Sequence, residues 1–315
     1  MRKLIKLVFS VFFIAFLLSP FFIGDHGANP EEYASKFEIE NGSFLEIDGH
    51  KTFYIDFNSQ SEDTILLLHG FGGSATNWLE AIPPLSEEGY RVVAVDLKGF
   101  GFSEKRVDED YSHPSQVDFL DSFVENLELK NITLVGHSLG GNVATMYYQE
   151  YPEKVEKLVL VSSALMEQKD EDTLRTNALK ILDYPILREY VRIVLKFSFD
   201  DGRVNHLLGS AVYDFENTNL QEPLFLDPTM FLGWEYVAIK MSSSSYLNIL
   251  QDDVSSINVP VLIIWGDEDT WVPVSRGESL DGRIEDSSLE LIENVGHLPM
   301  LEKPEEFVNI LIDNI

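Results

Sequence analysis

The chain has 315 residues, enough for one large domain carrying an insertion or for two domains. It holds 23 basic against 53 acidic residues, a net charge of −30. That balance argues against nucleic acid or an anionic membrane surface as the main partner, since both need clustered Lys and Arg. The absence of cysteine excludes disulfides, thiolate chemistry and Cys-ligated zinc.

The first segment, MRKLIKLVFSVFFIAFLLSPFFIGDHG, opens with Arg2, Lys3 and Lys6 and continues as an apolar run from Leu7 to Ile23. At about 1.5 Å per residue, this run lies near the short limit for spanning a bilayer. It is longer than the ~7–15 apolar residues of a cleavable signal, and the best cleavage site, near Ala28, has His26 where a small residue is wanted. Residues 1–24 are therefore expected to form a transmembrane anchor, with a cleaved signal peptide and a core helix as the alternatives. Basic residues ahead of the span place the rest of the chain outside the cytoplasm, anchored or secreted. Residues 25–41 are polar and read as a linker.

Next come SFLEIDG and KTFYIDF, alternating apolar and polar around Gly49, which predicts a hairpin at a sheet edge. From Thr64 the pattern changes to short continuous apolar runs: TILLL, RVVAV, NITLV, VEKLVLV and VPVLIIW. Such runs suit strands buried on both faces, as in a parallel sheet. Helix-length stretches lie between them, over 74–86, 113–127 and 139–151. Strand alternating with helix predicts a doubly wound α/β sheet. The rhythm stops over 165–250, which reads as a helical insertion. The core is then 42–164 plus 251–315.

Gly136-His137-Ser138-Leu139-Gly140 sits between a strand-like run and a helix-like run. A serine standing proud of a sheet needs a sharp turn whose close backbone neighbours lack side chains, and this pattern provides one. A helix starting at Leu139 points N–H groups at developing negative charge. The loop His69-Gly70-Phe71-Gly72-Gly73 follows the first buried strand, so the N–H groups of Phe71 and Leu139 are the candidate oxyanion donors. His69 precedes the turn and reads as a buried structural histidine. After a later strand come Asp267, Glu268 and Asp269, of which Asp269 is the first choice for orienting a base and Asp267 the second. His297 follows Gly296 on the last loop before the Lys303-Pro304 helix start, and is the candidate base.

The order Ser138, Asp269, His297, with HGFGGS, DLKGFGFS, GHSLGG, WGDED and GHLPMLEKPEEF, resembles the capped esterases, lipases and C–C hydrolases of the α/β-hydrolase fold superfamily over about residues 42 to 315. The resemblance implies a mostly parallel eight-stranded sheet flanked by helices, with a helical lid at 165–250. It favours Asp269, the third residue after the strand-end glycine, over Asp267. It makes Asp96 and Ser103 parts of a structural turn. A serine at position 138 speaks against the branches with a carboxylate nucleophile. Leu298 stands where many C–C hydrolases carry Trp, and His137 where they tend to carry Asn.

The expected chemistry is cleavage of a small-molecule or lipidic ester through an acyl-enzyme, with no metal and no cofactor. Phe197, Phe199, Phe231, Trp234 and Tyr236 are the expected acyl-pocket residues within the lid. A C–C, lactone or amide substrate, or a low-turnover binding protein, is the alternative.

Overall fold

The structure is a computed structural model that describes residues 28–107, 109–163, 165, 184–198, 201–218, 220, 223–242 and 253–315. The expected anchor at 1–24 and Phe199 lie outside the described residues. Among the described residues, no helix is long and apolar enough to cross a membrane.

The sheet has eight strands in the order β1-β2-β4-β3-β5-β6-β7-β8. These are β1 Gly42–Ile47, β2 His50–Phe57, β3 Thr64–Leu68, β4 Arg91–Val95, β5 Ile132–His137, β6 Val155–Val161, β7 Val261–Gly266 and β8 Ser287–Ile292. β2 pairs antiparallel with both β1 and β4, and every other pairing is parallel. Ile47 faces His50 in the β1–β2 register, leaving Asp48-Gly49 as a two-residue turn. Both turn residues have positive φ, 50° and 76°, as a type I′ hairpin requires.

Burial follows the sequence pattern. All residues of β3 and β7 are buried, whereas the edge strands β1 and β8 alternate. Helices α1 His113–Asn126, α2 Leu139–Glu150, α3 Pro185–Ser198, α4 Trp234–Ser242, α5 Ser275–Asp281 and α6 Pro304–Asn314 divide between the sheet faces and the insertion. Residues of α1, α2 and α5 join one apolar core, and those of α6 and of Ile82–Glu87 join the other. The described part of the insertion is built from helices, including α3, Asp201–Gly209 and α4.

The helix expected over 74–86 is split into a 3₁₀ turn, Ala75–Trp78, and a short helix, Ile82–Glu87. Pro83 and Pro84 are the physical reason. They donate no backbone hydrogen bond, so they fit the first turn of a new helix but not the interior of a continuous one.

Candidate active site

Parallel strands β3, β5, β6 and β7 deliver their C-terminal ends to one edge of the sheet, where the loops that follow them meet. Ser138 sits between the end of β5 and the start of α2, with φ 50° and ψ −114°. A non-glycine residue there is strained and must be held by its surroundings. Its N–H donates to Val161 C=O at 2.9 Å, and its own C=O accepts from Gly141 N–H at 3.1 Å. Glycine is required by close approach: a Cβ on Gly140 would stand 2.5 Å from the His69 carbonyl oxygen and 2.6 Å from that of Leu68. That contact is how the start of α2 presses against the end of β3, bringing the two expected oxyanion donors to one place. Among the described residues, neither the Phe71 N–H nor the Leu139 N–H donates to a protein acceptor, so both remain available.

His297 Nδ1 and Asp269 Oδ2 are 2.7 Å apart, both buried. The other carboxylate oxygen accepts from Trp271 N–H at 2.8 Å and Val272 N–H at 2.9 Å. The carboxylate is therefore fixed at one end by backbone and aims its free oxygen at the imidazole, which holds the proton on Nδ1 and leaves Nε2 without that proton, as a candidate base needs. Asp267 is exposed and its nearest polar partner is Val295 N–H at 3.5 Å, so the structure joins Asp269, not Asp267, to His297. Ser138 and His297 line the same cavity.

Three further histidine and carboxylate roles emerge. His69 is locked in a hydrogen-bonded position: Leu97 N–H donates to its Nε2 at 3.0 Å, so Nδ1 carries the proton and donates to Gly70 C=O at 2.7 Å. Burial lowers its pKa to about 4, and it stays neutral, as expected for a structural histidine. His137 Nε2 donates to His297 C=O at 2.8 Å, and the two rings lie 4.9 Å apart. Burial, then the neighbouring His297, hold the His137 pKa well below the ordinary value. His137 is therefore held neutral and stays a hydrogen-bond donor to the His297 carbonyl. Asp96 accepts from Ala75 and Phe102 N–H, both at 2.6 Å, and Ser103 Oγ accepts from Phe53 N–H at 2.9 Å, which makes both residues turn supports.

Glu302 is the residue that sequence reasoning missed. Its carboxylate accepts from the N–H groups on either side of His297, Gly296 at 3.0 Å and Leu298 at 3.2 Å, and from Tyr213 N–H in the insertion at 2.7 Å. His297 N–H itself donates to Ala211 C=O at 2.6 Å. Burial pushes the Glu302 carboxyl above its ordinary pKa, the three N–H groups oppose that, and the charge of Asp269 adds to it. The available signal was a glutamate five residues after the candidate base, ahead of a proline. Glu302→Gln replaces one acceptor oxygen with a donor that must face N–H groups. We expect turnover number on a soluble substrate to fall about 10- to 100-fold with little change in KM, because base placement and not binding is disturbed. Steady-state kinetics on a variant with an unchanged circular dichroism spectrum checks this.

The cavity has a volume of about 350 Å³ and walls that include Phe71, Leu208, Phe225, Val237 and Trp234. Of the five aromatic residues expected in the acyl pocket, Trp234 lines this cavity. Phe231 is fully buried behind the wall, against Tyr33 and Phe102, and Tyr236 lies under the Arg192 guanidinium. Phe197 is 73% exposed and is not among the residues that line the cavity. Among the described residues, no group of three or more His, Asp or Glu side chains is placed to hold a metal ion.

Residues 63–304 match the family model for the alpha/beta hydrolase fold. The chain belongs to the α/β-hydrolase fold family. This hydrolase is 27% identical over 291 residues to the 2-hydroxy-6-oxononadienedioate/2-hydroxy-6-oxononatrienedioate hydrolase of Klebsiella pneumoniae, covering 89% of this chain and 98% of that one. It is similar to the crystal structure of a membrane phospholipase A described as a bacterial virulence factor, with TM-score 0.68 and 26% identity over 99% of this chain and 97% of the other. An esterase from Exiguobacterium antarcticum shares the fold, with TM-score 0.69 and 24% identity over 86% of this hydrolase and 98% of the esterase.

Proposed function

We propose that the hydrolase cleaves carboxylic esters of medium or long acyl chains. The observation that carries this is the Asp269–His297 pair at 2.7 Å opening, with Ser138, into a cavity walled mainly by apolar side chains. In this reading Ser138 Oγ attacks the ester carbonyl as His297 Nε2 takes its proton. The oxyanion forms against the N–H groups of Phe71 and Leu139. His297 returns the proton to the departing alcohol, and water repeats the cycle on the acyl-enzyme.

Cleavage of a C–C bond is the second reading, and its support is the similarity to the nonadienedioate hydrolase. Leu298 and His137 stand at the positions where the sequence departs from that branch. A series of p-nitrophenyl esters from two to sixteen carbons, beside a 2-hydroxy-6-oxo-dienoate, tests both. We expect kcat/KM to rise with chain length by about tenfold for every two buried methylenes, until the cavity is filled. Turnover of the dienoate with no ester activity would overturn the ester reading.

We also propose that residues 1–24 anchor the hydrolase with its active site outside the cytoplasm. The support is the apolar run Leu7–Ile23 behind Arg2, Lys3 and Lys6, and the similarity over 99% of the chain to a protein named as a membrane phospholipase. Alkaline extraction of membranes tests it, since release of a chain starting near Asn29 would favour a cleaved signal.

A further inference from the structure

Helix α3 has its polarity reversed for a surface helix. Glu189 and Arg192 face inward, 5% and 2% exposed, and form an ion pair at 2.8 Å. Lys196 lies on the same stripe, its Nζ 3.6 Å from the buried Glu235 of α4, and the Arg192 guanidinium covers the Tyr236 ring. The opposite stripe holds Ile186 and Leu187, each 40% exposed, and Val194 and Phe197, 61% and 73% exposed. A surface helix normally turns its apolar stripe inward. Here the charges are paired within the protein, which fixes α3 in this orientation and leaves contiguous apolar surface outward.

The position of this face in the molecule identifies its occupant. α3 packs on α4, whose Trp234, Val237 and Ala238 wall the catalytic cavity. Ala28, where the described chain begins, is fastened beside Phe231 by two backbone hydrogen bonds, Ala28 N–H to Met230 C=O at 2.8 Å and Leu232 N–H to Ala28 C=O at 3.1 Å. Five residue steps from Ile23, the end of the apolar run, to Ala28 span at most about 18 Å. An anchored chain therefore holds the lid, and not the opposite end of the sheet, within that distance of the bilayer. With a net charge of −30, and with Arg192 and Lys196 of α3 turned inward, attraction to anionic headgroups is not the driving force.

We propose that α3 is a membrane-docking helix, whose outward face of Ile186, Leu187, Val194 and Phe197 seats in the acyl-chain border of a zwitterionic lipid bilayer and keeps the cavity beside the surface that supplies its lipid esters. This rests on the anchored, ester-cleaving reading above, and the test separates the two. The natural chain has no cysteine, so Val194→Cys gives a single attachment point for a polarity-sensitive fluorophore. Glu156→Cys, at the exposed start of β6 and opposite the Ser138 end of the sheet, gives the reference. Full-length protein is reconstituted into phosphatidylcholine vesicles. The label at 194 should shift to the blue and be quenched by nitroxide-bearing phosphatidylcholine, and the label at 156 should do neither. A label at 194 that stays in water overturns docking. A blue shift without nitroxide quenching also overturns it, since residues 1–24 or a second copy would then cover the face.

Activity supplies the second arm. Leu187→Glu with Val194→Glu should lower hydrolysis of phosphatidylcholine in vesicles about tenfold while leaving that of monomeric p-nitrophenyl butanoate unchanged. Equal losses on both substrates would assign α3 a purely structural role. If the unmodified protein cleaves neither ester, the ester reading fails while the two labels still decide docking.

Discussion

Ser138→Ala is expected to lower turnover about 10⁶-fold while leaving the circular dichroism spectrum unchanged. The hydroxyl has no structural work to do. The turn is held by backbone, through Ser138 N–H to Val161 C=O and Gly141 N–H to Ser138 C=O, and by the close approach of Gly140 to the end of β3. Alanine keeps all of these contacts and carries the same backbone strain. Catalysis loses its only proposed nucleophile, and the residual rate over water comes from the two N–H donors and from binding. A fluorophosphonate probe should attach to Ser138 in the unmodified protein and to nothing in the variant. Undiminished turnover in the alanine variant would remove Ser138 from the mechanism.

Asp269→Asn should cost about 10⁴-fold in turnover, far more than the loss of one hydrogen bond in binding would suggest. The reason lies in which oxygen is already committed. Oδ1 accepts from Trp271 and Val272 N–H, and those donors will select the amide oxygen of asparagine. The amide NH₂ is then left facing His297 Nδ1. The imidazole can satisfy it only by moving its proton to Nε2, where the base should be. The variant would keep its shape and lose its tautomer. Activity that falls less than about tenfold would show that Asp269 does not set the tautomer.

The elements of the candidate site were legible because their signals are local. A buried strand, a sharp glycine-flanked turn and a helix start are written within a few residues of Ser138, and His297 and Asp269 likewise sit on short loops after apolar runs. The count of eight strands came from the resemblance and their order from the structure, since the apolar runs show strands but not which neighbours they choose. Residues acting across distance were not legible. Glu302 gathers N–H groups from Gly296, Leu298 and Tyr213, and nothing near it in the chain names Tyr213 as a partner. Phe197 shows a different limit. Its helix has two faces of opposite character, and periodicity fixes that contrast but not which face turns inward. Aromatic residues there suggest a pocket wall by default. The buried Glu189–Arg192 pair, with Lys196 facing Glu235, decides otherwise.

The hydrogen bond from His297 N–H to Ala211 C=O bears on how this enzyme could be re-engineered. Lids of this kind invite exchange between relatives as whole cassettes, cut where the sheet pattern stops and resumes. A cassette cut at 165 and 250 would take away the acceptor that holds the His297 backbone, together with Tyr213, a donor to Glu302, and Ser210, whose Oγ accepts from Trp271 Nε1 at 3.0 Å. Residues 210–213 are hydrogen-bonded to the loops that carry His297 and Trp271, although the chain reaches them only within the insertion. A graft that retains them and exchanges the remainder alters substrate choice without disassembling the base.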